Sequence, residues 1–202
     1  SEHAADTWDP MSSMTLFEAN QQVSEYYLYI RPRVFEKLSL AFGFDYHDTD
    51  LDINVFGEDV TKKISSKVLP KVGLTWTPNN QLEGRIAYYE TYSKRLEAQT
   101  SLKPTHFNGF PQVFDGAWGT LYESSSAEII FRPSSSFAMG ATKTHHDLTE
   151  PQIHIGNTAV LLDKQLDREL ESIYINWMPN SKLSTGIRFE NDFMDRETDP
   201  AE

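Results

Sequence analysis

Four prolines, Pro32, Pro78, Pro133 and Pro179, punctuate the chain as an internal repeat of about 46 to 55 residues. Each follows an aromatic or branched apolar residue by one or two places: Ile30-Arg31-Pro32, Trp76-Thr77-Pro78, Phe131-Arg132-Pro133 and Trp177-Met178-Pro179. Each opens a short polar turn that ends in an apolar residue, Leu38, Leu82, Phe137 or Leu183. Proline has no N–H to give to a β-ladder, so it belongs at strand ends and turns. Asn79-Asn80, Ser134-Ser135 and Asn180-Ser181 supply ordinary turn formers behind three of them.

The runs on either side of these turns alternate with period two, the signature of strands with one apolar face. Tyr26, Leu28 and Ile30 alternate with Glu25, Tyr27, Tyr29 and Arg31. Leu38, Leu40, Phe42, Phe44 and Tyr46 alternate with Ser39, Ala41, Gly43, Asp45 and His47. The same holds for Val68–Trp76 and Leu82–Tyr92, for Ala127, Ile129 and Phe131 with Phe137, Met139 and Ala141, and for Ile173, Ile175 and Trp177 with Leu183, Ile187 and Phe189. Eight antiparallel strands in four hairpins are predicted over 24–193, between a polar N-terminal loop segment, 1–23, and a C-terminal loop stub, 194–202.

The far ends of these strands join through longer polar segments, about 48–64, 94–118 and 148–164. Short turns at one end and long polar connections at the other are the asymmetry of outer-membrane barrels. The expected fold is an all-β, antiparallel up-and-down transmembrane β-barrel, present here as part of a barrel. With short turns on the periplasmic side, both ends of the chain fall on the outside, and an open sheet edge cannot stand in lipid. Further strands, the remaining wall of the same barrel, are therefore expected. Trp76 and Trp177 next to the turns, with Tyr46, Tyr88 and Tyr92 nearer the loop ends, read as two aromatic girdles at the membrane interfaces.

Alternation alone does not say which face meets lipid. A soluble antiparallel barrel or sandwich enclosing a small apolar ligand would show the same pattern with the faces exchanged. Composition narrows the field elsewhere. The formal net charge of −12 argues against nucleic acid as a partner, since phosphate binding needs clustered Lys and Arg. Cysteine is absent, which removes disulfides, thiolate metal sites and cysteine nucleophiles. No apolar stretch approaches the ~18–20 residues of a membrane-spanning helix.

The segment Lys71-Val72-Gly73-Leu74-Thr75-Trp76-Thr77-Pro78 resembles the strand-plus-turn of TonB-dependent-receptor-like barrels. Tyr92-Ser93-Lys94-Arg95, Leu102-Lys103-Pro104-Thr105, Asn108-Gly109-Phe110, Phe114-Asp115 and Gly119-Thr120 are similar to the C-terminal barrel of large outer-membrane proteins carrying periplasmic tetratricopeptide repeats. The likeness covers roughly residues 26–148 and fades afterwards. It implies a porin-like pore or membrane anchor in the bacterial outer membrane, in contact with lipid and lipopolysaccharide, and no catalysis. Neither tetratricopeptide helices nor a receptor plug lies within the sequence, so docking and energised uptake are not implied.

Catalytic and metal-binding patterns are sparse. His145-His146-Asp147 is the one obvious polar cluster, and neighbours on a strand point to opposite faces, so the two histidines cannot readily grip one metal. No metal and no cofactor are expected. A small outer-membrane lipid-modifying enzyme would need a serine such as Ser93, or Thr144, beside one of these histidines, with a carboxylate orienting the ring. Asp45, His47, Asp48, Asp50 and Asp52 read as a solvated acidic strand end that offers cation binding at lipopolysaccharide level. Phe107, Phe110, Phe114 and Trp118 crowd the long 94–118 connection. Four aromatics in one surface loop need something to pack on, so this loop is expected either to fold over or into the barrel mouth, constricting a lumen or presenting a contact surface, or to pack on its neighbouring loops.

Overall fold

A computed structural model describes residues 17–55, 58–93, 104–113, 119–155 and 159–196. One nine-stranded antiparallel sheet carries nearly all of it, and no helix occurs among the described residues. Its eight-strand path follows chain order: β1 (Phe17–Ile30), β3 (Leu38–Val55), β4 (Glu58–Trp76), β5 (Leu82–Tyr92), β8 (Leu121–Ser134), β9 (Phe137–Ile155), β10 (Ala159–Asn180) and β11 (Leu183–Arg196). The short β2 (Arg33–Phe35) pairs with β3, and β6 (His106–Phe107) with β7 (Phe110–Pro111) forms a separate two-stranded hairpin. β4 and β10 approach each other although three strands separate them in the sheet, so the sheet curls.

The proline repeat is a structural repeat. Pro32 follows β1 directly, and Pro78 stands in the β4–β5 turn. Pro133 and Pro179 sit near the ends of β8 and β10, where the pairing shifts register between Phe131 and Ser134 and between Trp177 and Asn180. A bulge is where a strand tolerates a residue with no N–H. In the residue ahead of each of the last three prolines, the backbone N–H donates to a neighbouring turn. Thr77 bonds to the Lys37 carbonyl at 2.8 Å, Arg132 to Gln81 at 2.6 Å and Met178 to Ser136 at 2.7 Å. Asn79 and Asn180 close their own turns alike, each side-chain oxygen accepting from the backbone N–H groups two and three residues on.

The strands are longer than their sequence suggests. The connections 48–64 and 148–164, read as polar loops, are mostly strand: β3 and β4 continue to Val55 and Glu58, and β9 and β10 to Ile155 and Ala159. At 22 residues β10 far exceeds the ~9–11 residues a membrane-crossing strand needs. The same extension carries β1 back to Phe17, inside the segment read as an N-terminal loop, and β11 on to Arg196, inside the stub. Apolar alternation stops where the extensions begin, and charged cross-strand pairs take over. On one face Lys143 opposes Glu171 and His145 opposes Glu169, with Lys143 Nζ 3.0 Å from Glu171 and 3.2 Å from Glu169.

The two faces differ as a membrane wall requires. Leu28, Phe42, Phe44, Val72, Trp76, Ile86, Ile129, Ile173, Ile175 and Phe189 all stand exposed on one face. The other face carries Ala41, Asp45, Lys71, Tyr89, Ser124, Ser126, Thr144 and His146, all buried. The β6–β7 hairpin packs on that second face. A soluble barrel enclosing an apolar ligand needs the reverse, with the aliphatic face covered.

Candidate functional site

The inner face holds the most organised chemistry in the molecule, and its centre is the hairpin that descends from the end of β5. The connection from Ser93 to Thr120 is clasped at its base, where Ser93 N–H donates to the Thr120 carbonyl at 2.9 Å and Thr120 N–H to Ser93 Oγ at 3.0 Å. From there 104–113 folds down along the wall. The Tyr89 hydroxyl donates to the Pro111 carbonyl at 2.9 Å and the Thr91 hydroxyl to Val113 at 3.1 Å. Phe107 and Phe110 are buried against Ala41, Ala87 and Tyr89, with the Phe107 ring 6.0 Å from Tyr29 and 6.2 Å from Tyr89. Phe107 and Phe110 thus pack the described part of this loop onto the inner face. Phe114 and Trp118 lie outside the described residues.

The hairpin tip is a wedge. Asn108 and Gly109 take the turn at φ 50° and 94°, a conformation Asn and Gly tolerate best. Asn108 Nδ2 donates to the carbonyls of Leu74, at 3.1 Å, and Ile86, at 3.0 Å, which face each other across the β4–β5 ladder. Its Oδ1 accepts from Thr75 Oγ1 at 2.9 Å and from Arg31 Nη2 at 2.8 Å. The wedge fits because Gly73 lies beneath it: a Cβ there would stand 2.8 Å from the Asn108 side chain. The tip thus reaches almost to the short turns, far below the loop ends of the strands.

A buried ion pair anchors the middle of the hairpin. Lys71 Nζ lies 3.3 Å from Asp45 Oδ2, and both side chains are fully buried. Lys71 also donates to the Glu90 carbonyl at 2.7 Å and to Gln112 Oε1 at 2.6 Å, while Tyr29 Oη donates to Asp45 Oδ1 at 2.8 Å. Gln112 Nε2 returns a bond to the Pro104 carbonyl at 2.7 Å. Asp45 is accordingly no part of a solvated acidic strand end, and neither is His47, which is buried beside Glu25. Both face inward because their β3 positions alternate with Phe44 and Tyr46. Nothing local in the sequence marks Asn108, Gln112 or Lys71 as partners: Asn108 reaches Ile86 and Arg31 across 22 and 77 residues, and Lys71 reaches Gln112 across 41.

Of the proposed interface aromatics, Trp76 and Trp177 stand exposed on the outer face beside the turns. Tyr46 is half-buried there, its ring 6.2 Å from exposed Tyr26, and the Tyr88 hydroxyl donates to Glu90 at 2.9 Å. Tyr92 departs from the girdle. β4 and β5 stop pairing beyond Lys71 and Tyr89, and the Tyr92 ring turns to stack on inward-facing His47 at 4.9 Å.

His145 and His146 do take opposite faces. His145 is on the outer extension, its Nε2 3.0 Å from Asp147, and ligand atoms of His145, Asp147 and Asp167 lie within 4.8 Å of one another. The shared hydrogen bond with Asp147 raises the Asp167 carboxyl above its usual range. His146 is buried inside, sharing a 2.8 Å hydrogen bond with Ser124. Among the described residues this serine, rather than Ser93 or Thr144, shares a hydrogen bond with a histidine, a placement that comes from the β8–β9 register. Among the described residues no carboxylate hydrogen bond to its ring is seen, and Arg168 is the nearer charge acting on it. The pair lacks the orienting acid of a hydrolase and is read as a packed, neutral contact.

Burial first, and then the Arg168 cation, push the His146 pKa down to about 4 from an ordinary 6.5. The folded state therefore holds this ring neutral while the unfolded chain protonates it. Its contribution is complete above about pH 6.5 and is lost as the pH falls toward 4, at most about 3 kcal/mol. Urea titrations from pH 7.5 to 4 should show wild-type stability falling through this window, and His146→Asn should flatten the fall. An unchanged slope in the variant would assign the acid sensitivity elsewhere.

Three solved structures show where this wall belongs. The alcaligin outer-membrane receptor FauA of Bordetella pertussis matches with TM-score 0.56 and 14% identity, over 87% of this chain and 31% of that one. The FrpB iron transporter of Neisseria meningitidis matches in its F3-3 variant with TM-score 0.59 and 10% identity, over 86% and 25%. Its F5-1 variant, as apoprotein, matches with TM-score 0.60 and 10% identity, over 87% and 26%. The fold is that of an outer-membrane β-barrel. The chain spans between a quarter and a third of these proteins' length, which is the extent of a partial barrel wall. No protein-family model matches the sequence, and no curated protein does.

Proposed function

We propose that the chain is a wall segment of a bacterial outer-membrane transport barrel, with residues 104–113 folded inward to narrow the lumen, and that it carries out no catalysis. The observation that carries this reading is the pairing of an exposed aliphatic band on one face with a polar inner face on which a loop is bolted down. A mere membrane anchor has no need of a hairpin driven nearly to the turn end. The charged strand extensions stand above the hydrocarbon, at the level of lipopolysaccharide headgroups. The receptor and transporter whose folds it shares are themselves outer-membrane or iron-transport proteins by name, which agrees with transport. The kinship with tetratricopeptide-bearing barrels rests on the loop residues around Pro104-Thr105 and Asn108-Gly109-Phe110 alone.

Arginine on the outer face tests the membrane placement. Ile173 is 60% exposed on the aliphatic face, between Glu171 on the loop side and Ile175 and Trp177 on the turn side. Ile173→Arg is expected to cost about 1–2 kcal/mol in a bilayer, between the values for a cation at the midplane and at the interface of a barrel wall. Refolding of the full-length barrel into lipid vesicles, followed by urea titration, reads that loss directly. Equal stability of wild type and variant in vesicles would mean that the face does not meet lipid.

A further inference from the structure

We infer that the turn end of the inner wall, just beneath the hairpin tip, binds a small oxyanion, the phosphate or carboxylate group of a passing solute, between Arg31 and Arg33. This rests on the lumen reading above and names the class of solute it would favour. A cleft of about 320 Å³ opens there, lined among others by Arg31, Arg33, Ser39, Thr75, Thr77 and Arg85. That is the small end of the ~300–1,000 Å³ range of ligand pockets, suited to one compact group with its waters.

The charges in the cleft are unequally satisfied. Glu83 is held by Arg85 and, at 3.0 Å, by Arg132, and Arg85 also meets Glu128 at 3.3 Å. Those groups neutralise one another. Glu36, the second acid of the cleft, lies exposed on the β2–β3 turn. Among the described residues neither Arg31 nor Arg33 has a carboxylate within ion-pair distance. In a chain with 30 acidic and 18 basic residues, two arginines without counter-ions in one cleft are unexpected. A guanidinium presents paired N–H donors in a planar fork that matches a carboxylate or phosphate edge, and the Ser39 and Thr77 hydroxyls line the same space.

The loop takes part. Asn108 Oδ1 holds one Arg31 nitrogen at 2.8 Å, which orients the guanidinium without cancelling its charge, because the amide is neutral. The hairpin tip thus holds an arginine in place at the rim of this cleft.

Titration calorimetry with inorganic phosphate, on the full-length barrel that contains this wall segment, purified in detergent micelles, tests the site. Wild type is expected to bind phosphate saturably and more weakly as salt rises. Arg33→Gln and Arg31→Gln should each weaken binding about tenfold, the size of one charged hydrogen bond. Lys182→Gln, which removes a cation from a different turn, should bind as wild type does. The slower gel migration of heated against unheated samples confirms that each variant is folded. Absence of saturable binding in folded wild type, or undiminished binding in folded Arg33→Gln, overturns the site. Equal weakening by Lys182→Gln would also overturn it, since the effect would then be general charge. These outcomes are separate from the vesicle result for Ile173→Arg, on which the lumen reading stands or falls.

Discussion

Lys71→Met is expected to destabilise the folded chain by about 3–5 kcal/mol, because it strips the cation from a buried carboxylate while leaving the carboxylate in place. Asp45 is 0% exposed and also accepts a hydrogen bond from the Tyr29 hydroxyl. The variant also forfeits the two bonds from Lys71 to the Glu90 carbonyl and Gln112, so the middle of the hairpin loosens together with the wall. Urea titration in micelles, followed by tryptophan fluorescence, gives the loss. The double variant Lys71→Met/Asp45→Leu should recover most of it, because a buried ion pair can be replaced by apolar residues at little net cost. A single variant within about 1 kcal/mol of wild type would show that Asp45 is hydrated or protonated in the fold, and the ion-pair account would fail.

Asn108→Ala acts on the loop rather than the wall. It removes four hydrogen bonds, one of them to a guanidinium, and places alanine at a positive φ. At about 0.5–1.5 kcal/mol for each neutral bond and about 1.5–3 for the charged one, hairpin docking should weaken by roughly 3–7 kcal/mol. The sheet ladders do not pass through Asn108, so global unfolding should change far less. Two readouts separate the effects. Limited proteolysis should cleave within 104–113 in the variant and spare it in wild type. Ion conductance across planar bilayers should rise as the tip leaves the wall. Protection of the hairpin equal to wild type would mean that the phenylalanines hold it alone. Gly73→Val should resemble Asn108→Ala, since it fills the space under the wedge from the other side.

How legible these features were follows from the range of the interactions behind them. The four turns were readable because proline and asparagine act within three residues of themselves, through a missing N–H and a side-chain oxygen. The strand extensions escaped notice since apolar alternation fades there and polar residues such as Asp50 and Lys63, or Lys164 and Glu150, face each other across the ladder. Aromatic crowding announced that the 94–118 connection had to pack somewhere. It could not announce Gly73 as the vacancy, Asn108 as the wedge or Lys71 as the anchor, because each is an ordinary strand or loop residue until the sheet brings them together. Tyr92 was misplaced for a similar reason: alternation assigned it to the outer face, but β4 and β5 separate before they reach it.

The sequence by itself determined where the chain turns and which residues share a face, since a period of two and the chemistry of proline are local properties. Which face meets lipid was beyond it, because exchanging the two sides of an alternating sheet leaves the pattern unchanged. The tertiary structure decided that question by the course of a single loop. Residues 104–113 bury Phe107 and Phe110 on the side of Asp45 and Lys71, and that covers one face and leaves the aliphatic band bare.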